Sequence, residues 1–207
     1  MSCEINLRTD GLSGADAGGT WVWNGFNASS DEGPFSTGSG TNPGALSGDN
    51  PAIDFDGFTP GYYAFTYSGG EGDCGDEVTI VIAVVSSPNA GCSDTVTYCT
   101  GNGGSAVNLL TLKNTECGES ITSTNLTIEW DDSSDDPGAA YNAGAGTLDI
   151  EDLEPGTYVF TYTKVAVPPD GYTLDNCPNC EASVATLTIT IIATFTAGTA
   201  NNIAVCA

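Results

Sequence analysis

The chain has 207 residues, of which 27 are acidic and only three are basic, so its formal net charge at neutral pH is −24. A surface with so few cations has nothing to neutralise phosphates, which excludes nucleic acid and anionic membranes as expected partners. Histidine is absent, which removes the most common acid–base catalyst. We therefore predict a soluble, self-repelling protein surface.

A repeated segment organises the sequence. Residues 153–162 read LEPGTYVFTY and residues 58–67 read FTPGYYAFTY, with six identities in register. Each copy is typical of a Pro-Gly turn that leads into a strand with alternating side chains. A duplication of this kind predicts two domains, each of roughly 90 to 110 residues and large enough to bury its own core.

The first predicted domain covers residues 1–87. Its expected elements are short strands at 3–7 and 21–23, a polar loop at 24–51, an acidic strand at 53–56, and strands at 62–67 and 77–85. A loop of this length is usually functional or mobile. The longest apolar run, 78–85, is far too short to span a bilayer, so no membrane insertion is expected.

The second predicted domain covers residues 88–207. Its expected elements are strands at 95–99, 106–112 and 125–130, an acidic loop at 131–138, strands at 148–150 and 158–162, an insertion at 165–180, and a last core strand at 184–194. The last strand is almost entirely β-branched, which is typical of a buried strand.

The end of the sequence carries a further repeat. Residues 195–206 match residues 87–99 with a small gap. In the repeat, Cys3, Cys99 and Cys206 then share one position. The first domain is therefore predicted to lack its opening strand, while the chain carries a spare copy of that strand.

Three placements of residues 195–207 are open. The segment could add an extra edge strand to its own domain, it could complete the open edge of another subunit by strand addition, or it could remain a disordered tail. Assembly contacts are expected from three apolar side chains of the segment, Phe195, Ile203 and Val205.

Eight cysteines in a chain of this size favour disulfides formed in an oxidising environment. The repeat suggests equivalent pairs that tie an early strand to the hairpin before the last strand: Cys3 with Cys74, and Cys99 with Cys177 or Cys180. Free buried thiols are the alternative. The Cys177–Cys180 spacing resembles a zinc knuckle or a redox motif, but no second such pair completes a zinc site.

Two groups of carboxylates are candidates for calcium, and no other cofactor is expected. They are Asp54 with Asp56, and the acidic loop residues Asp131, Asp132, Asp135 and Asp136. Neither group follows the spacing of an EF-hand, so solvated acidic turns are the alternative. Asp54 and Asp149 hold matched repeat positions before the Pro-Gly turn, which predicts that they cap it.

Aromatic side chains are candidates for stacking on sugar rings, although a sandwich domain usually buries one Trp in its core. Trp21 and Trp23 share one face of a strand, so we expect one of them to be partly exposed and available to a host-surface glycan. No nucleophile elbow, phosphate loop or histidine for a triad is present, so no enzymatic activity is predicted.

Several segments together resemble the immunoglobulin-like repeats of Bacteroidetes surface proteins. They are Pro88–Gly91, Val96–Cys99, Val107–Leu110, Gly19–Trp21 and the two Pro-Gly-Tyr segments. The tyrosine after each Pro-Gly turn likewise resembles the tyrosine corner of such sandwiches. The resemblance implies an all-β fold of two tandem immunoglobulin-like β-sandwich domains.

The N-terminal sequence lacks the basic and apolar regions of a secretory signal. A short chain with this fold and no signal resembles a surface component of a phage particle, such as a capsid decoration, a head fibre or a tail accessory. The resemblance implies other virion proteins or further copies of the chain as partners. The alternatives are a fragment of a secreted cell-surface adhesin, or an extracellular carbohydrate-binding accessory module.

Overall fold

A computed structural model of the protein describes residues 3–12, 14–15, 17–69, 76–100, 106–174 and 180–194. These residues form twelve β-strands, one α-helix and one short 3-10 turn, which confirms the predicted all-β class. They divide into two compact units. Unit 1 contains the described residues up to Pro88 together with Val165–Ser183, and unit 2 contains Asn89–Lys164 and the described residues from Val184 onwards.

Unit 1 contains five strands: β1 (Glu4–Asn6), β2 (Thr20–Asn27), β3 (Ala52–Asp54), β4 (Gly61–Gly69) and β5 (Asp76–Val84). An antiparallel sheet has the order β2-β4-β5, and β1 pairs with β3 in a separate antiparallel sheet. Phe65 at the centre of β4 lies opposite Trp23 on one side and Ile80 on the other. The segment 165–183, which the sequence placed in the second domain, belongs to this unit.

Unit 2 contains seven strands and the helix: β6 (Asp94–Cys99), β7 (Val107–Asn108), α1 (Leu109–Cys117), β8 (Leu126–Trp130), β9 (Tyr141–Asn142), β10 (Thr147–Leu148), β11 (Gly156–Lys164) and β12 (Ser183–Ile192). One sheet has the order β6-β12-β11-β8, and a second has the order β7-β10-β9. The pairing of β6 with β12 is parallel. Alternate residues of β12 point into the core, with Leu187 and Ile189 completely buried.

The helix α1 corrects the predicted strand at 106–112. The strand ends at Asn108, whose side chain accepts a hydrogen bond of 2.9 Å from the backbone N–H of Thr111 and so caps the helix. Gly118 ends the helix with φ of 64°, a left-handed conformation that glycine adopts without strain. Leu109 and Lys113, one turn apart, form its buried face.

Both Pro-Gly turns carry the same hydrogen bond. The hydroxyl of Tyr63 donates to the carbonyl of Thr59 at 2.9 Å, and the hydroxyl of Tyr158 donates to the carbonyl of Glu154 at 2.8 Å. A tyrosine that returns to the backbone a few residues upstream is the defining contact of a tyrosine corner. The predicted corner is therefore present in each unit.

The matched aspartates hold the short turn that precedes each Pro-Gly pair, through hydrogen bonds that do not reach the Pro-Gly turn itself. The side chain of Asp54 accepts a hydrogen bond of 3.0 Å from the backbone N–H of Asp56, and that of Asp149 accepts one of 3.2 Å from Glu151. Each aspartate therefore fixes the backbone two residues further on, which is the geometry of an Asx-turn. Asp54 also accepts from the N–H of Cys3 at 3.1 Å and so ties β1 to β3.

The strand pairings correct the repeat position of Cys3. Strand β1 pairs with β3 in unit 1 as β7 pairs with β10 in unit 2, so residues 4–7 correspond to residues 106–109. Leu7 and Leu109 are both completely buried at this position. Cys3 therefore precedes the counterpart of β7 and does not share the position of Cys99.

The polar loop after β2 is held to unit 1 by Asp49. Its carboxylate pairs with the guanidinium of Arg8 and accepts a hydrogen bond of 2.8 Å from the N–H of Gly18. Its carbonyl accepts from the indole Nε1 of Trp21 at 3.1 Å, and the hydroxyl of Tyr67 donates to its carboxylate at 3.3 Å. This end of the loop is therefore anchored from several sides.

Candidate functional site: the open edge of β5

Strand β5 forms the edge of the unit 1 sheet. All nine of its residues pair with β4 on one side, from Val84 opposite Gly61 to Asp76 opposite Gly69. On the other side, no strand among the described residues pairs with it, and none of the backbone hydrogen bonds between described loops and turns involves it. Such an edge presents unpaired N–H and C=O groups that can pair with another strand.

A groove of about 850 Å³, with polar and apolar walls, lies beside this edge within unit 1. Its walls include side chains from β5, from the β1–β3 sheet and from the turn after it, among them Ile5, Phe55, Phe58, Ile80, Ile82 and Val84. The last three are only partly buried, although they pack against the buried core of the unit. The inner face of β5 is therefore left partly uncovered along the groove.

The insertion 165–174 supplies the remaining wall, and Tyr172 fixes its position. The ring of Tyr172 lies 5.9 Å from that of Tyr62, and its hydroxyl donates a hydrogen bond of 3.1 Å to the carboxylate of Asp31. Burial, assisted by the bond to Asp31 and by its negative charge, raises the pKa of Tyr172 to about 12. The hydroxyl therefore remains a donor at every physiological pH.

In unit 2 the corresponding edge is occupied. Strand β6 runs parallel to β12, with Val96 opposite Ile189 and Tyr98 opposite Ile191. Val96 and Tyr98 pack against the buried core of that unit. One unit therefore has a strand beside its last core strand, and the other has a groove.

The two tryptophans of β2 lie in different environments. Trp21 is 6% exposed and its ring lies 5.0 Å from that of Tyr67, so it is a core residue. Trp23 is half-buried, and its Nε1 atom has no hydrogen-bond partner among the described residues. Of this pair, Trp23 is the more exposed, although its Nε1 atom is shielded from solvent and its ring packs against the core.

The acidic loop uses its carboxylates to hold its own turns. Asp131 accepts from the backbone N–H of Ser133 at 3.0 Å and from its hydroxyl at 2.7 Å, and these bonds lower the pKa of Asp131. Asp136 accepts from the N–H of Gly138 at 2.8 Å. Asp135 accepts from the N–H of Thr157 at 2.5 Å and so joins the loop to β11. Asp132 is exposed.

The described cysteines include a disulfide that the repeat did not suggest. Cys92 and Cys117 are bonded and link the segment before β6 to the end of α1. Cys3, which is buried, and Cys99, which is half-buried, are free thiols. Their predicted partners Cys74 and Cys177 lie outside the described residues, as does Cys206, and Cys180 is half-buried.

A buried lysine, for which the sequence offered no signal, lies next to this disulfide. The ammonium of Lys113 donates to the carbonyls of Cys92 and Thr186 and lies 4.5 Å from the centre of the Tyr162 ring. Burial lowers its pKa, although Glu119 and Asp94 oppose the effect. Asp94 also lies close to both sulfurs, but these are bonded to each other and offer no thiolate to a metal.

The expected assembly residues Phe195, Ile203 and Val205 lie outside the described residues. No helix in the described part of the chain has the length and apolar character needed to cross a bilayer. Comparison of the chain with protein-family models and with curated protein sequences finds no match.

Proposed function

We propose that the chain is a non-enzymatic structural protein on the surface of a phage particle, acting as a capsid decoration, a head fibre or a tail accessory. The observation that carries the proposal is the edge of β5, which no other described strand pairs with and which lies beside a groove. An open strand edge is a template for another chain, and natural proteins normally cover or blunt such an edge. A protein that assembles by strand pairing keeps such an edge free for its partner.

The same proposal assigns two tandem immunoglobulin-like β-sandwich domains. Its support is the tyrosine corner in each unit, formed by Tyr63 and by Tyr158. Unit 2 also has the two-sheet arrangement of a sandwich, with four strands in one sheet and three in the other. A rigid sandwich presents its loops and edges in fixed positions, which suits a component that works by shape.

The charge distribution favours contact through β5. Copies of a chain with a net charge of −24 repel one another, so their contacts are favoured on neutral surfaces. Residues 78–84 of β5 contain no charged side chain. This part of β5 is therefore the less repulsive side of the groove, whose other walls include Asp10 and Asp56.

Mass spectrometry of purified particles, produced by cells that carry the gene, tests the function. We expect the chain to copurify with the particles through a density gradient in a fixed copy number per particle. Immunogold labelling should place it on the outer surface. Recovery of the chain in the cell-envelope fraction, with none in the particles, would contradict the proposal and favour a cell-surface adhesin.

Half-buried Trp23 favours carbohydrate binding as a second candidate function, because aromatic faces stack on sugar rings. A glycan array with the purified protein tests it. The variant Trp23→Ala should lose any binding, whereas Val22→Ala, on the opposite face of β2 and 55% exposed, should retain it. Binding that survives Trp23→Ala would place the glycan site elsewhere.

A further inference from the structure

The pairing of β6 with β12 shows how a unit of this fold covers the edge of its last core strand. The added strand runs parallel to the core strand, and its alternate side chains Val96 and Tyr98 complete the core. The intervening Thr97 is exposed. In unit 1, the described residues provide no strand at this position, and the groove lies where such side chains would insert.

The sequence contains a second copy of the covering strand. Cys206 follows Cys99 by 107 positions, and Gly198 follows Gly91 by the same number. This offset places Ile203 at the position of Val96 and Val205 at the position of Tyr98. The apolar alternation that completes the core of unit 2 is therefore repeated in residues 201–206.

The same offset relates the two core strands. It places Ile82 at the position of Ile189, and Val84 at the position of Ile191. Ile189 and Ile191 are buried beneath β6, whereas Ile82 and Val84 are only partly buried beside the groove. The difference in burial between equivalent residues is what a missing strand would produce.

Residues 201–206 cannot take the covering position in unit 2. The edge of β12 is already paired with β6 over six residues, from Leu187 to Ile192. The equivalent edge of β5 in unit 1 is the one that the described residues leave open. The covering strand at 201–206 therefore matches unit 1.

The direction of the chain indicates which copy of unit 1 is used. Strand β5 ends unit 1 and is followed by β6, which is the covering strand of unit 2. Each core strand thus leads into the covering strand of the next unit. Residues 195–207 follow β12 as β6 follows β5, so we assign them to a unit other than the one that contains β12.

We propose that residues 201–206 of one copy pair in parallel with β5 of a second copy, with Ile203 opposite Ile82 and Val205 opposite Val84. The donated segment 195–207 has no charged side chain, so it adds no side-chain repulsion in a groove that Asp10 and Asp56 line. Donor and acceptor are different surfaces, so the contact is head-to-tail and forms a ring or a filament. This inference rests on the proposed role of the chain in an assembly.

Sedimentation velocity of the full chain over a range of concentrations tests the proposal. Wild type should form multimers, and the double variant Ile203→Asp with Val205→Asp should be monomeric, because both carboxylates would enter the groove. The matched control is Asn202→Asp with Ala204→Asp, which adds the same charge at the positions of exposed Thr95 and Thr97. The control should still form multimers.

Hydrogen exchange of residues 76–84 identifies the acceptor. The amides of residues 80–84 that point away from β4 should be protected in wild type and in the control, and they should exchange at least tenfold faster in the Ile203→Asp, Val205→Asp variant. A synthetic peptide of residues 195–207, added to that variant, should restore protection of β5. A peptide that carries the same two substitutions should not.

Three outcomes would overturn the proposal: multimers that persist in the double variant, a peptide that leaves β5 unprotected, and a monomeric wild type with β5 protected. The last outcome would mean that the segment covers unit 1 of its own chain. These results are independent of the particle analysis. A chain that polymerises through residues 195–207 but is recovered from the cell envelope would contradict the phage role and leave the strand pairing intact.

Discussion

Val96 on β6 lies opposite Ile189 on β12 in a parallel ladder, and its side chain closes one side of the unit 2 core. The contact joins residues more than ninety positions apart, and no turn between the strands sets their register. The alternation of β6, with Val96 inward and Thr97 exposed, determines which residues meet. The contact of β6 with β12 therefore depends on side-chain packing and not on a connecting turn. A segment from elsewhere in sequence could cover such a strand in the same way.

The first prediction concerns this contact. The variant Val96→Ala should lower the free energy of unfolding by about 1 kcal/mol, because Val96 is partly buried and loses apolar contact with the core. Chemical denaturation followed by Tyr and Trp fluorescence measures the change. The control Thr97→Ala, on the exposed face of the same strand, should change the free energy by less than about 0.5 kcal/mol.

The second prediction concerns the tyrosine corners. The variants Tyr63→Phe and Tyr158→Phe should each lose about 1 kcal/mol of stability, because each removes a hydroxyl whose bond satisfies a carbonyl of the turn. Denaturation measured on the single variants and on the double variant gives the values. The two losses should add, since the corners lie in separate units.

The control for the corners is Tyr62→Phe. The Tyr62 hydroxyl makes no hydrogen bond with the described residues, and its ring contact with Tyr172 is retained in Phe. A loss from Tyr62→Phe as large as that from Tyr63→Phe would show that the hydrogen bond is not what stabilises the turn.

The third prediction concerns the disulfide between Cys92 and Cys117, which closes a loop with a sequence separation of 25. The double variant Cys92→Ser, Cys117→Ser should lose about 3 kcal/mol, because a loop of this size removes substantial entropy from the unfolded chain. Thermal unfolding with and without reductant measures it. Wild type should lose stability on reduction and the double variant should not, whereas Cys99→Ser should leave the response to reductant unchanged.

The fourth prediction is a pH dependence that originates at Lys113. Its pKa is lowered in the folded state, so between that pKa and the ordinary value of 10.5 the unfolded chain binds more protons. The stability of wild type relative to Lys113→Met should therefore rise with pH in this window, with a slope of at most about 1.4 kcal/mol per pH unit. The difference in stability between the two proteins should become constant above pH 10.5.

Denaturant titrations of both proteins between pH 7 and pH 11 measure this difference. The variant Lys164→Met removes the other lysine of unit 2, whose half-buried side chain donates to the carbonyl and hydroxyl of Thr122, and reports the effect of losing a lysine that is not completely buried. A relative stability of wild type that falls with pH would contradict a lowered lysine pKa.

Short-range features were predictable from the sequence because their contacts are local. Tyr63 reaches a carbonyl four residues away, and Asp54 reaches an N–H two residues away. Such contacts depend on turn chemistry that the residues themselves carry. The helix α1 was missed because nine residues with few apolar positions give no clear period, and its inward face depends on the burial of Leu109 and Lys113.

Residue order alone was enough to predict the all-β class, the duplicated turns and a repeat of the β6 sequence in residues 195–206, since alternation and repetition are properties of residue order. The folded structure was needed to show that β6 covers β12 and that, among the described residues, β5 is an edge strand beside a groove. It also decided that Cys92 meets Cys117 and that Lys113 is buried. These features join residues far apart in the chain, and burial and strand pairing bring them together only when the whole unit has folded.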